Sequence, residues 1–234
     1  MSSRSSHANI PSSARGSTPR MISVFARAVF VIAVAMLGAS CAPPRLRPLA
    51  GAPTVARLPS TQLPPIHRQI VFDWEFVDRD ITGRGEGVAR VAGPDSARLD
   101  LFLAGGFGSG AAILIADSLR IPGSGLPRRF IPPPPLLWAA LGRVALPVLR
   151  DTTARVDGEL LRVDIGKPVS WRLTFRRDSL VRLERIRDGR IAEWVERSGN
   201  IVHYRSEEAR RALSLTIKRA QEVPPFDASI WGPF

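Results

Sequence analysis

The chain has 234 residues, of which 44% are hydrophobic and 23% charged, and its formal net charge is +12. This composition is typical of a globular protein rather than a disordered chain, and the length suits one all-β domain or two smaller ones. A single cysteine, Cys41, excludes an intrachain disulfide.

The N-terminal residues have the features of a targeting segment. Residues 1–20 are rich in Ser and Arg and contain no acidic residue, and the apolar run at 28–37 (AVFVIAVAML) is short for a bilayer span. The small residues 38–40 (GAS) then precede Cys41. This order predicts a secretory signal over residues 1–40. An uncleaved anchor helix is the alternative.

Removal of the signal lowers the charge of the mature chain. Residues 1–40 contain four arginines and no acidic residue, so the mature chain carries +8 (12 − 4). A start at Met21 would leave a signal of 20 residues (41 − 21). A basic protein outside the cytoplasm meets anionic lipid headgroups and polysaccharide, so we expect no nucleic-acid partner.

Residues 41–65 are predicted to be a proline-rich tether. Seven prolines occur between residues 42 and 65, and no apolar periodicity accompanies them. Proline lacks a backbone donor and favours the polyproline II conformation. At ~3.1 Å per residue, such a tether would hold the domain up to ~75 Å from the membrane. The alternative is a segment packed along the surface of the domain.

Residues 66–234 are predicted to form a single β domain. Apolar residues alternate with polar ones along residues 70–77, 97–103 and 171–176, which is the period-2 pattern of half-buried strands. The glycines between residues 83 and 87 indicate a strand that coils or is closely approached. We count about ten or eleven strands at the spacing of an antiparallel barrel or strongly curled sheet.

One helix interrupts the strands. Residues 136–146 (LLWAALGRVAL) are apolar nearly all round, with Pro135 before them and Pro147 after them. We therefore expect a buried central helix that packs on the sheet. The C-terminal run from Val223 (VPPFDASIWGPF) is predicted to plug an open side.

These features resemble the LolA/LolB-like group of periplasmic lipoprotein carriers and outer-membrane lipoprotein receptors. The resemblance rests on the signal ending at Cys41, the hairpin sequence at 83–103, the apolar strand at 111–121, the helix after a proline loop and the PPFD sequence at 224–227. It implies a mainly β, half-open antiparallel barrel, lipidation of Cys41, and an apolar cavity for acyl chains. The chain departs from the group at 42–65, which is too proline-rich to supply the usual amphipathic helix before the first strand.

The residues predicted to face inward are all apolar, and they either fill a core or line a ligand cavity. They are Trp74, Phe76, Leu99, Leu101, Ile113, Trp138, Trp171, Leu173 and Phe175.

The loop between residues 122 and 135 is predicted to be the mouth of the barrel. Its apolar side chains need an apolar surface to rest on, and its arginines suit anionic headgroups. An ordinary loop folded back on the core is the alternative. The mouth residues are Leu126, Arg128, Arg129, Phe130 and Ile131.

No catalytic constellation is visible in the sequence. The three histidines His7, His67 and His203 lack metal-ligand spacing. Ser109 lacks the glycine two residues before it that a nucleophile elbow requires. We therefore predict neither enzyme activity nor a metal or cofactor, and an envelope hydrolase is the least favoured class.

The leading hypothesis is a monomeric, non-enzymatic lipoprotein on the periplasmic side of the outer membrane. It would bind an acyl chain such as palmitate, or a lipidated partner, in its apolar interior. The alternative is a structural lipoprotein whose filled barrel docks an envelope complex.

Overall fold

The computed structural model describes residues 46–55, 57–106, 108–122, 130–146 and 151–232, which all belong to one compact unit beginning at Pro43. Thirteen strands and one α-helix, α1 (Pro134–Ala140), are described there. The strands are β1 (Ala52–Thr54), β2 (His67–Val77), β3 (Thr82–Ala92), β4 (Ser96–Leu103), β5 (Ser109–Ile115), β6 (Ser118–Arg120), β7 (Thr152–Asp157), β8 (Leu160–Ile165), β9 (Trp171–Arg176), β10 (Ser179–Arg187), β11 (Arg190–Ser198), β12 (Ile201–Ser206) and β13 (Arg211–Glu222).

All thirteen strands form one antiparallel sheet in the order β1-β7-β8-β9-β10-β11-β12-β13-β2-β3-β4-β5-β6. The first and last strands of this order do not pair, so the sheet is a half-open barrel, and the predicted fold class is confirmed. The sequence patterns missed β1 and β7, which pair with each other at one edge. Neither strand has the apolar alternation that a half-buried strand shows, because both are largely exposed.

The two faces of the sheet differ in composition. Phe72, Trp74 and Phe76 of β2 point to the inner face and are at most 3% exposed. They share the main apolar core with alternate residues of β4, β8, β9, β10 and β12, and α1 covers this face. The alternation that the sequence predicted for β2, β4 and β9 therefore defines the inside of the barrel.

Glycines in β3 allow the inner face to close tightly. A Cβ at Gly87 would stand 2.4 Å from the Phe72 ring, and one at Gly85 would stand 1.9 Å from the carbonyl oxygen of Phe102. The Trp74 ring lies along the same strand and its Nε1 donates to the carbonyl oxygen of Glu86 at 2.9 Å. The Phe72 ring and the Phe102 carbonyl oxygen therefore occupy the space that side chains at Gly87 and Gly85 would take.

The turns that join consecutive strands lie at two opposite ends of the sheet. The Asp188-Gly189 turn defines what we call the Gly189 end, which also contains the turns that follow β2, β4, β8 and β12. The Arg177-Asp178 turn defines the opposite Asp178 end. Asp188 and Gly189 have φ of 49° and 67°, the left-handed pair of a tight hairpin turn that the sequence signal predicted.

The helix is shorter than predicted. It begins at Pro134, where a proline in the first turn costs no hydrogen bond, and it ends at Ala140 rather than at residue 146. Gly142 has φ of 91°, so the backbone turns left-handed there, before Pro147 is reached. Among the described residues, no helix is long and apolar enough to cross a membrane.

Residues 46–65, predicted as part of a tether, run along the sheet instead of away from it. The Leu46 amide donates to the carbonyl oxygen of Gly189 at 2.9 Å, and Leu49 is 8% exposed. β1 then pairs with β7, and Leu63 packs against the main core. The described part of this range is therefore packed along the surface of the domain and is not an extended tether, because extended proline-rich backbone fits the edge of a sheet.

The C-terminal run also differs from its prediction. Residues 228–231 form a 3₁₀ turn, and Arg98 on the outer face donates through Nη1 to the carbonyl oxygen of Ile230 at 2.7 Å. This segment therefore lies against the outer face of β4 instead of plugging the open side. Phe226 anchors it through an edge contact with His67, whose ring centroid is 5.1 Å away.

Candidate functional site

The predicted inward residues, with one exception, face the inside of the barrel. Trp74, Phe76, Leu99, Leu101, Trp138, Leu173 and Phe175 are buried in the main core. Trp171 is half-buried and packs against the same core. Their role as the lining of a ligand cavity stays a prediction.

Ile113 is the exception, because it faces outward. Ile113 pairs with Arg98, whereas its neighbour Ala112 pairs with the inward Leu99. Ile113 is nevertheless 2% exposed, and Arg98 opposite it bonds the C-terminal segment. Because β5 is apolar on both faces, its sequence does not reveal which face is inside.

Among the described residues, a cavity of about 20 Å³ lies between the sheet and α1. A cavity of this size has room for about one water molecule. Tyr204 is the only lining residue with a polar side chain. The lining residues are Leu99, Leu101, Ile131, Pro132, Leu137, Ala140, Val202, Tyr204, Leu213 and Leu215.

A polar cluster, which the sequence did not predict, borders this cavity. The Tyr204 hydroxyl donates to Glu193 Oε1 at 2.8 Å, and Glu193 forms ion pairs with Arg185 and, at 3.7 Å, with Arg211. Glu193 and Tyr204 are each 3% exposed. Burial, and next the charge of Glu193, raise the pKa of Tyr204 above its ordinary value, so Tyr204 stays a neutral donor.

This cluster lies at the Gly189 end of the inner face. Arg185 pairs across the sheet with Glu193, and Glu193 with Ser206, which directly precedes the turn to β13. Two arginines and one glutamate leave an excess positive charge beside an apolar cavity. The sequence signal was weak, since β11 (RIAEWVERS) has charged residues on both of its alternating faces.

Arg197 is a further inward-facing charge on β11. Its Nη1 donates to the carbonyl oxygen of Leu180 at 3.3 Å and lies beside Gly142, just past the end of α1. Burial, and next the charge of Arg68, lower the pKa of Arg197 from its ordinary value. Arginines therefore border the apolar interior at two places: Arg185 and Arg211 lie at the Gly189 end, and Arg197 lies beside the end of α1.

The segment from Phe130 to Leu146 covers the inner face. The Phe130 ring packs on the Phe76 ring at 4.3 Å between centroids, and Ile131 is 5% exposed. Trp138 Nε1 donates to the carbonyl oxygen of Ala116 at 2.6 Å, and the Val144 amide donates to Thr61 Oγ1 at 2.9 Å. These two hydrogen bonds hold the middle and the C-terminal part of the segment, while apolar contacts hold its beginning.

The structure describes only part of the predicted mouth. Phe130 and Ile131 pack on the core, and their role at the mouth of the barrel stays a prediction. Leu126, Arg128 and Arg129 lie outside the described residues, as does Cys41.

The described histidines are isolated from one another. His67 Nδ1 accepts from the Phe226 amide at 3.2 Å, and His203 Nδ1 lies 2.9 Å from Ser214 Oγ. Across residues 46–232, apart from the ranges left undescribed, no group of three or more His, Cys, Asp or Glu side chains is placed to hold a metal ion.

Comparison with known proteins identifies the fold. No protein-family model and no curated protein sequence matches the chain. The structure is similar to a domain assigned to the outer membrane lipoprotein-sorting proteins of Vibrio parahaemolyticus, with 4% identity, a TM-score of 0.50, and coverage of 74% of this chain and 92% of that one. It is also similar to a LolA superfamily protein from Nitrosomonas europaea, with 10% identity, a TM-score of 0.48, and coverage of 73% and 92%. The fold shared with the Vibrio domain agrees with the LolA/LolB-like fold that the sequence predicted.

Proposed function

We propose that this protein is a non-enzymatic carrier or receptor that binds one acyl chain between the inner face of its sheet and α1. The single observation that supports this most is the uninterrupted apolar interface of α1 with the inner face, where Leu136, Leu137 and Trp138 are at most 3% exposed. An acyl chain gains about 0.8 kcal/mol for each methylene that it buries, so such an interior needs no polar recognition of the chain.

Binding requires the covering segment to move, because the existing cavity of about 20 Å³ is too small for an acyl chain. The half-open sheet offers a way out, since the edge strands β1 and β6 are not joined. Phe130, Ile131 and Leu137 would swing away from Phe76 and Leu101 and expose the apolar inner face to the incoming chain. The same apolar contacts close the segment again when the ligand leaves.

The Arg185–Glu193–Arg211 cluster would sit beside the ligand's polar end. Its excess positive charge suits a carboxylate or a phosphate, and Tyr204 stays neutral and holds Glu193 in place through its hydrogen bond. The similarity to the Vibrio domain, which is assigned to lipoprotein sorting, agrees with a ligand that carries acyl chains.

We further propose that Cys41 is lipidated after cleavage of residues 1–40, and that the mature monomer acts on the periplasmic face of the outer membrane. The support is the sequence: a short apolar run, three small residues and then the chain's single cysteine. A Cys41→Ser variant that still became membrane-bound and lipid-labelled would contradict this assignment.

The second candidate is a structural lipoprotein that docks an envelope complex. The observation that favours it is the small size of the cavity between α1 and the sheet, because a packed barrel presents only its surface. In that case the apolar interior serves stability alone.

A substitution that fills the cavity distinguishes the acyl-chain carrier from the docking lipoprotein. Ala140 lines it, and an Ala140→Phe substitution places a ring where the ligand would enter. Titration with palmitate, followed by tryptophan fluorescence, should show saturable binding to the wild type and at least about tenfold weaker binding to the variant. The matched control is Ala145→Phe, at a half-buried position after the helix that does not line the cavity. Absence of saturable binding to the wild type would favour the docking protein.

A further inference from the structure

The chain rejoins the sheet at one particular end. The Leu46 amide donates to the carbonyl oxygen of Gly189, in the turn between β10 and β11. Leu49 is buried three residues later, and β1 follows in the sheet. From Leu46 onward, the N-terminal segment is therefore part of the folded body.

The distance from this point to the proposed lipid anchor is short. Leu46 is five Cα-to-Cα steps from Cys41 (46 − 41), and even a fully extended chain of this length reaches only about 17 Å. β10 has nine residues, so its two ends are about 30 Å apart. The Asp188-Gly189 turn is thus held close to the anchor, and the Asp178 turn at the other end of β10 is not.

Basic side chains are exposed around the same turn. Arg47 follows Leu46, Arg190 follows Gly189, and Arg210 lies in the neighbouring turn between β12 and β13; all three are exposed. Arg187 pairs with Glu208 across these two turns. The turn after β2 lies at the same end and carries Asp78, Arg79 and Asp80, so together with Asp188 these side chains leave a net charge of +1 (4 − 3). The net positive charge suits anionic lipid headgroups.

The segment that covers the inner face begins at the same end. Phe130 packs on Phe76, one residue before the end of β2, and β2 ends at the Gly189 end. The Arg185–Glu193–Arg211 cluster lies there as well. An acyl chain that left a membrane at this end would meet the polar cluster and the start of the covering segment first.

We propose that the Gly189 end is a membrane-contact surface that rests on anionic phospholipid headgroups. Arg47, Arg190 and Arg210 are the side chains that meet the headgroups. This proposal rests on the proposed anchor at Cys41, and it replaces a body held far out on a long tether with one held directly at the bilayer.

The test uses the full chain, lipidated in a bacterial host and reconstituted into vesicles that contain phosphatidylglycerol. Asp188→Cys and Asp178→Cys place a fluorophore in exposed turns at the two ends of β10, and each removes one aspartate. With a spin-labelled lipid headgroup as the quencher, position 188 should be quenched several-fold more than position 178. Equal quenching, or stronger quenching at 178, would overturn the proposal.

Two variants test the cause of this orientation. A Gly/Ser insertion of about fifteen residues before Leu46 should reduce the quenching at position 188, because the anchor then no longer holds this end near the bilayer. Replacement of Arg47, Arg190 and Arg210 by Gln should reduce it in phosphatidylglycerol vesicles but not in phosphatidylcholine vesicles. Quenching unchanged by all of these variants would overturn the proposal.

The outcomes separate this surface from the proposed function. Protein that carries no lipid and does not stay on the vesicles contradicts both the anchor and the membrane-contact surface. Quenching at position 188 without saturable palmitate binding contradicts the carrier function alone. Palmitate binding together with equal quenching at both positions contradicts the surface alone.

Discussion

The two faces of the sheet are stabilised in different ways. On the inner face, Phe76, Leu173 and Phe175 are at most 1% exposed and pack among apolar neighbours. On the outer face, Arg172 donates to both carboxylate oxygens of Asp164, at 2.6 and 2.8 Å. The inner face depends on burial of area and the outer face on charge pairs, so the inner face should dominate the free energy of unfolding.

The largest expected effect comes from the centre of the inner face. Phe175→Ala removes a ring that is 1% exposed, and the loss of buried area together with the cavity left behind should lower the free energy of unfolding by about 3–5 kcal/mol. Chemical denaturation measures this. Trp171→Ala, at the half-buried margin of the same strand, should cost less; an equal or larger loss would mean that the two positions are equally packed.

Overpacking of the inner face should cost less than truncation. A Cβ at Gly87 would stand 2.4 Å from the Phe72 ring, so Gly87→Ala should lower the free energy of unfolding by about 1–3 kcal/mol. Gly83→Ala is the matched control, because a Cβ there would meet the Trp74 ring at an ordinary 3.4 Å. An equal loss of stability in Gly83→Ala and Gly87→Ala would contradict this explanation.

The polar cluster on the inner face should respond to alkaline pH. The pKa of Tyr204 is raised in the folded state, so folding favours its protonated form. That contribution is fully present below the ordinary tyrosine pKa of about 10 and is lost as pH rises through the folded pKa. Unfolding measured above pH ~10 should show a steeper fall in stability for the wild type than for Tyr204→Phe. Parallel curves for the two proteins would show that Tyr204 is not the cause.

The smallest expected effect is on the outer face. Arg172→Gln removes one side of the pair with Asp164, whose side chains are 12% and 13% exposed. Because water still reaches both groups, we expect a loss of about 1 kcal/mol that shrinks in high salt. A loss as large as that of Phe175→Ala would remove the contrast between the faces.

The sequence predicted the regular parts of this fold because their pattern is local. The alternation in β2 and β9 identifies both the strands and their inner faces, and the resemblance to LolA/LolB-like proteins gave the half-open barrel. The end of α1 was missed because Gly142, a single residue, turns the backbone before Pro147 does.

Other parts of the fold depend on contacts between distant residues, which the periodicity of the sequence does not reveal. Ile113 lies on a strand apolar on both faces, so its outward direction is fixed by pairing with Arg98. Glu193 faces inward because Arg185 and Arg211 meet it across neighbouring strands. The packing of residues 46–65 likewise depends on β7 and Gly189, which are more than 100 residues away along the chain.

The most direct test of acyl-chain binding distinguishes the two faces of the sheet. A nitroxide-labelled fatty acid added to methyl-labelled protein should broaden the NMR signals of the inner-face residues Leu101 and Leu213 more strongly than that of the outward Ile113. This is the result expected if the chain enters between α1 and the sheet. Broadening confined to the exposed outer residue Val77, or none at all, would contradict the proposed function.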